Sequence, residues 1–151
     1  MSLATRAVVG VDIGGTKTAA ALVSSGGSVG PVRTIPTPAA SGGEAVLDAV
    51  AGLVRVVAAG QAIGGVGVGT AGVVDARAGR IVSATDTFAG WVGTEVAADL
   101  RARLGVGVEV RNDVDAHALG ESWRGAGAGA SSMLMVAVGT GVGGALVLEG
   151  R

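Results

Sequence analysis

A chain of 151 residues, 49% of them hydrophobic, is long enough for one compact domain with a sizeable core and too apolar to be a disordered tail. A net charge of −1 leaves neither the basic footprint of a nucleic-acid binder nor an acidic tail. Absence of cysteine excludes disulfides and thiolate metal sites within the chain and suits a reducing cytoplasm.

Residues 1–3 lead into no signal-peptide apolar region. The first predicted element covers residues 8–13: an apolar run ends on Asp12, followed by Gly14-Gly15 and then Thr16, Lys17 and Thr18. A strand ending this way sets a carboxylate at a sheet rim where side-chain-free residues let backbone N–H groups approach a phosphate. The following TAAALVSSGG has no helix cap or charged helical face, so the chain is expected to double back as an antiparallel strand. In a P-loop or dinucleotide unit the glycine turn opens a helix instead. The expectation here is the actin-like, ribonuclease H-like kind of phosphate loop.

A third strand is predicted over 29–35, stopped by Pro36 and Pro38. Ser41 and Glu44 have capping-box spacing, and Val46, Leu47, Val50, Leu53, Val54 and Val57 recur at helical intervals up to Gly60. Residues 63–70 read as a buried strand and 73–82 as a small hairpin turning at Ala78-Gly79. Thr94 is placed to cap a helix bearing Val96, Leu100 and Leu104, with Gly105 ending it. A strand over 106–111 and a helix from Asn112-Asp113 to about Arg124 follow, then the linker GAGAGASS and a last hairpin, 133–138 with 142–148. Residues 125–148 carry no charge and are numerous enough to span a bilayer, but two glycine-rich breaks cut them into strand-sized pieces. A lone hairpin is marginal in water. Its apolar strands must pack on the preceding domain, on another copy of the chain, or on further polypeptide.

Two glycine turns share a role. Asp12 with Gly14, Gly15 and Thr16 is one, and residues 139–144, containing Gly139, Thr140 and Gly141, are the other. As a pair they could grip a polyphosphate from opposite sides with Asp12 held near a magnesium ion; singly, each is also an ordinary hairpin turn. Two formal GxGxxG matches, at Gly67 and at Gly139, open no helix and carry no dinucleotide reading. Lys17 lacks Walker spacing and reads as an exposed strand residue. Asn112-Asp113 stands where a strand ends and a helix starts, the place where open α/β sheets present ligand-binding residues. Asp113 could accept a hydroxyl proton while Asn112 holds a neighbouring hydroxyl; equally, this is a helix N-cap. Asp115, His117 and Glu121 fit a packed or solvated helix face. Asp86, in ATDTFAGW, belongs to an irregular loop that either lines a sugar or is a surface turn anchored by Trp91.

GVDIGGTKT, GVGTAGVVDARAGRIVSAT, Gly90-Trp91, VRNDVDAHALGE and VAVGTGVGGALV, in this order, resemble the ROK family of sugar kinases and sugar-responsive repressors over nearly the whole chain. The resemblance implies an α/β, actin-like ATPase fold with a mixed sheet, and γ-phosphoryl transfer from ATP with Mg2+ to a hexose, glucose by default. It implies Asp113 as catalytic base and Asn112, Gly72 and Asp86 as sugar-site residues. Asp12, Gly14, Gly15 and Thr16 match the first phosphate motif, with Asp12 toward the metal, and Gly139, Thr140 and Gly141 match the second. Asp86 and Asp115 stand where the family often has Asn. The family's later Glu-x-x-His sugar contact, zinc site and adenosine pocket have no counterpart before Arg151. The chain is therefore expected to be an N-terminal portion, with 1–126 a sugar-kinase lobe and 127–151 the linker and first hairpin of a nucleotide lobe. On that expectation it turns over little by itself, and the intact protein is cytoplasmic and a homo-oligomer, with no membrane or nucleic-acid partner for this stretch. A repressor of the same family is the alternative, and it would need a helix-turn-helix ahead of Val8.

Overall fold

The structure, a computed structural model, describes residues 6–85, 88–138 and 142–150. Strands β1 (Val8–Ile13) and β2 (Lys17–Val23) pair antiparallel, with Ile13 opposite Thr18 and Val8 opposite Val23. The Asp12–Thr16 turn thus opens a strand, as its sequence requires. β3 (Arg33–Pro36) adds antiparallel to β2 and is shorter than expected. Pro31 has no N–H to give a ladder, so the 29–32 stretch contributes only a bridge from Val29 to Val23.

Helix α1 (Gly43–Ala58) carries the chain to β4 (Val66–Thr70), parallel to β1. A small hairpin, β5 (Val73–Asp75) with β6 (Arg80–Ser83), precedes α2 (Val96–Leu104). β7 (Val108–Asn112) runs parallel to β4 and completes a five-stranded mixed sheet ordered β3-β2-β1-β4-β7. Helix α3 (Asp113–Arg124) and a separate hairpin, β8 (Ser132–Val138) with β9 (Val142–Leu148), follow. No helix among the described residues is long and apolar enough to cross a membrane.

Strand alternation divides the sheet into two unlike faces. One carries Val9, Val11, Ile13, Val66, Val68, Val108 and Val110, all buried in a single core with Val46, Leu47, Val50 and Leu53 of α1 and Val96 and Leu100 of α2. The other carries Gly10, Asp12, Gly67 and Gly69, and there α3 comes close. A Cβ at Gly69 would stand 3.4 Å from the Ala116 Cβ, so the glycine sets the depth at which α3 lies.

Two helix starts differ from the sequence expectation. Ser41 lies in a 3-10 turn, and the N-cap of α1 is Gly42, with no side-chain cap bond. Glu44 instead meets Arg103 of α2, which also donates to Asp48 at 2.9 Å. A tertiary ion pair has taken the carboxylate that the capping box would use. Likewise Glu95, not Thr94, occupies the N-cap position of α2; the Thr94 hydroxyl donates back to the Gly90 carbonyl at 3.4 Å.

Candidate active site

The β1–β2 turn is held from behind by one residue. Thr37 donates its hydroxyl to the Gly14 carbonyl at 2.8 Å and its N–H to the Thr16 carbonyl at 3.0 Å. Its single hydroxyl proton being spent there, the 2.8 Å contact with the buried Thr18 hydroxyl must be donated by Thr18. Gly14 donates to the Lys17 carbonyl at 3.0 Å, and an added Cβ would come within 2.9 Å of that oxygen, so the turn admits no side chain here. Asp12, Thr16 and Lys17 remain exposed around it. Thr37 was missed by sequence reasoning; its only local signal is its position between Pro36 and Pro38, where a regular strand cannot continue.

At the other side of the cleft, Asn112 is the N-cap of α3. Its Oδ1 accepts from the N–H groups of Val114 at 2.9 Å and Asp115 at 3.3 Å, and its Nδ2 donates to the Gly72 carbonyl at 2.9 Å. Gly72 has φ +102, and a Cβ would stand 2.7 Å from the Ser83 carbonyl oxygen. One amide therefore ties the helix start to a loop only glycine can form. Capping falls to Asn112, so Asp113 enters as the first helical residue, exposed, with one carboxylate oxygen accepting the Val114 N–H at 2.9 Å. Its second oxygen lies outside these bonds.

Asp12 and Asp113 line one cleft of about 730 Å³ between the glycine-bearing sheet face and α3, with His117 and Trp123 further along it. Asp12 is exposed at its mouth, yet lost hydration raises its carboxyl pKa above the ordinary value, and the charge of Asp113 raises it further. Lys17 and His117 pull the other way. His117 also lies 3.8 Å from Glu121, an exposed i,i+4 pair. Two carboxylates that repel across an open cleft invite a divalent cation. Among the described residues no three acidic or imidazole groups converge as a protein-only metal cage. That donor set fits Mg2+, which keeps waters and substrate phosphates in its shell rather than being enclosed by side chains.

The expected sugar-loop residue Asp86 and the second turn's Gly139, Thr140 and Gly141 lie outside the described residues. Their flanks are described. Trp91 is 1% exposed and stacks on Phe88 at 5.1 Å between ring centroids, so the 88–91 flank is anchored in the core. Gly143, two residues beyond Gly141, packs on the first turn of α3, where an added Cβ would stand 3.0 Å from Val114 Cγ2. The start of β9 is thereby set close to the first turn of α3.

The ROK family model matches residues 8–151. A glucokinase of Thermotoga maritima is 35% identical over 143 residues, 95% of this chain and 45% of the relative. An N-acetyl-D-glucosamine kinase of Salmonella paratyphi A is 38% identical over 94% of this chain and 46% of its own length. A ROK family glucokinase from Streptomyces griseus, solved in complex with glucose and AMPPNP, superposes with a TM-score of 0.85 at 34% identity, over 96% of this chain and 45% of that one. The chain thus spans less than half the length of each of these relatives.

Proposed function

The chain belongs to the ROK family, and on that premise we propose that it supplies the sugar-binding lobe of an ATP-dependent hexose kinase, with glucose as the hexose. Residues 1–126 form that lobe in this reading, and 127–151 begin the nucleotide-binding lobe. One observation carries the proposal: Asp113, freed from capping by Asn112, lines the same cleft as Asp12, the carboxylate that leads into the glycine turn. The S. griseus enzyme's complex with glucose and AMPPNP supports the pairing of sugar and ATP.

In the reaction a hexose hydroxyl attacks the γ-phosphorus of ATP, its O–H bond breaks, and the bond between the γ-phosphorus and the β–γ bridging oxygen breaks to release ADP. Asp113 accepts the hydroxyl proton on its second carboxylate oxygen. Asn112 and Gly72 fix the edge against which the sugar rests. The Gly14-Gly15-Thr16 backbone receives the phosphates, with Gly139, Thr140 and Gly141 from the opposite side. Mg2+, held toward Asp12, neutralises phosphate charge when bound. Asp86 contacts the sugar.

A coupled ADP-release assay on the polypeptide of the complete reading frame, run against glucose, N-acetylglucosamine, fructose, N-acetylmannosamine and allose, tests the substrate. Asp113→Asn is expected to lower turnover by about 10²–10⁴ or more with sugar binding retained. Unchanged turnover would remove Asp113 from the role of base.

A further inference from the structure

Thr37, just past the end of β3, has little conformational freedom. It lies between Pro36 and Pro38, and a residue that precedes proline is confined to extended backbone. Each of its polar groups is also engaged. The N–H donates to the Thr16 carbonyl at 3.0 Å, and the carbonyl accepts the Ala39 N–H at 2.8 Å. The hydroxyl donates to the Gly14 carbonyl and accepts from Thr18, both at 2.8 Å. Thr18 is 1% exposed, so this chain of two hydroxyls runs from the sheet interior out to the β1–β2 turn. A trans peptide sets its N–H opposite its C=O. Because the Gly14 carbonyl faces Thr37, the N–H of Gly15 in the same peptide unit faces away from it, and among the described residues that N–H has no backbone acceptor.

We propose that Thr37 is a positioning residue for the nucleotide: by holding the Gly14 carbonyl from behind, its hydroxyl aims the Gly15 N–H at the phosphates without touching them. The inference rests on the proposed function, in which this turn receives the phosphates. Two adjacent glycines are the freest backbone a turn can have, and an unheld Gly14-Gly15 peptide would present its N–H in many directions. Ordering it only when nucleotide arrives would cost affinity; a peptide already held does not incur that loss. The backbone bond to Thr16 fixes the far side of the same turn, so the threonine spans it. None of these bonds involves Gly72, Asn112 or Asp113, the residues assigned to the sugar hydroxyls. The effect of the Thr37 hydroxyl therefore belongs to the nucleotide and not to the hexose.

Steady-state kinetics and calorimetric titration with MgADP, on the polypeptide of the complete reading frame, test it. Thr37→Val removes the hydroxyl and keeps the backbone bond to Thr16. It should raise the KM for ATP and the Kd for MgADP by about 10-fold or more, with the KM for the hexose within about two-fold of the wild type. Thr37→Ser restores the donor and should return both nucleotide constants to within about three-fold. Val50→Ala, in the main core, lowers stability without touching the turn and should leave the KM for ATP unchanged. Thr37→Ala carries the same expectation if the valine variant does not fold. Nucleotide constants unaltered by loss of the hydroxyl, or altered no more than by Val50→Ala, overturn the proposal, as does failure of serine to restore them. A wild type that binds MgADP yet phosphorylates no hexose sinks the kinase reading, while weaker MgADP binding by Thr37→Val would then still support the clamp. A wild type that binds no MgADP overturns both.

Discussion

Asp12 is the residue whose electrostatics are most readily measured. Its carboxyl holds a proton more tightly when folded than when unfolded, because hydration is lost and Asp113 lies across the cleft. The folded state therefore binds more protons from about pH 4 upward, and stability from this group, full below the unfolded pKa, is lost as pH rises through the folded one. Ionised Asp12 costs stability at neutral pH. Asp12→Asn should accordingly gain on the wild type as pH rises from about 3 to 7. Thermal unfolding followed by circular dichroism across that range checks it; a variant losing ground toward neutrality would show that Lys17 and His117 outweigh burial. At this scale the sequence marked candidate residues better than the bonds that hold them. Asp12 and Asp113 stand out at strand ends, whereas Asn112 as clamp on Gly72 joins residues forty apart and Thr37 holds a turn from beyond another strand. Those bonds exist only once the sheet has formed.

Among the elements, apolar spacing located α1 and α2, which turn one face to the main core, whereas α3 was placed by the strand end at Asn112-Asp113 and buries Ala118 in a separate small cluster. Helix starts were less legible. Ser41 and Glu44 have the right spacing for a box, but Arg103, on a helix distant in sequence, claims Glu44. The two accounts predict different energetics. Ser41→Ala should change unfolding free energy by no more than about 0.5 kcal/mol, where loss of a true N-cap costs about 1 kcal/mol. Urea denaturation separates these values. β3 teaches a similar lesson, because Pro31 interrupts donors within a stretch whose valines read as strand. Hydropathy registers the valines but not the missing N–H.

For the whole molecule, antiparallel β1–β2 followed by parallel β4 and β7 puts the Asp12 turn and the α3 start at the same end of one sheet. This juxtaposition was inferable from sequence because both motifs end strands of a single parallel run, and parallel neighbours end together. The approach of β9 to α3 was not inferable, since it depends on Gly143 admitting Val114. The proposed function requires that the two acidic positions share one cation-binding cleft. Paramagnetic Mn2+ with ADP, titrated into the ¹⁵N-labelled chain, tests this most directly. Amide signals of Gly14 to Thr16 and of Asp113 to Val114 should broaden together, and Asp12→Asn should abolish both effects. Broadening confined to one of the two segments, or persisting in that variant, would contradict it.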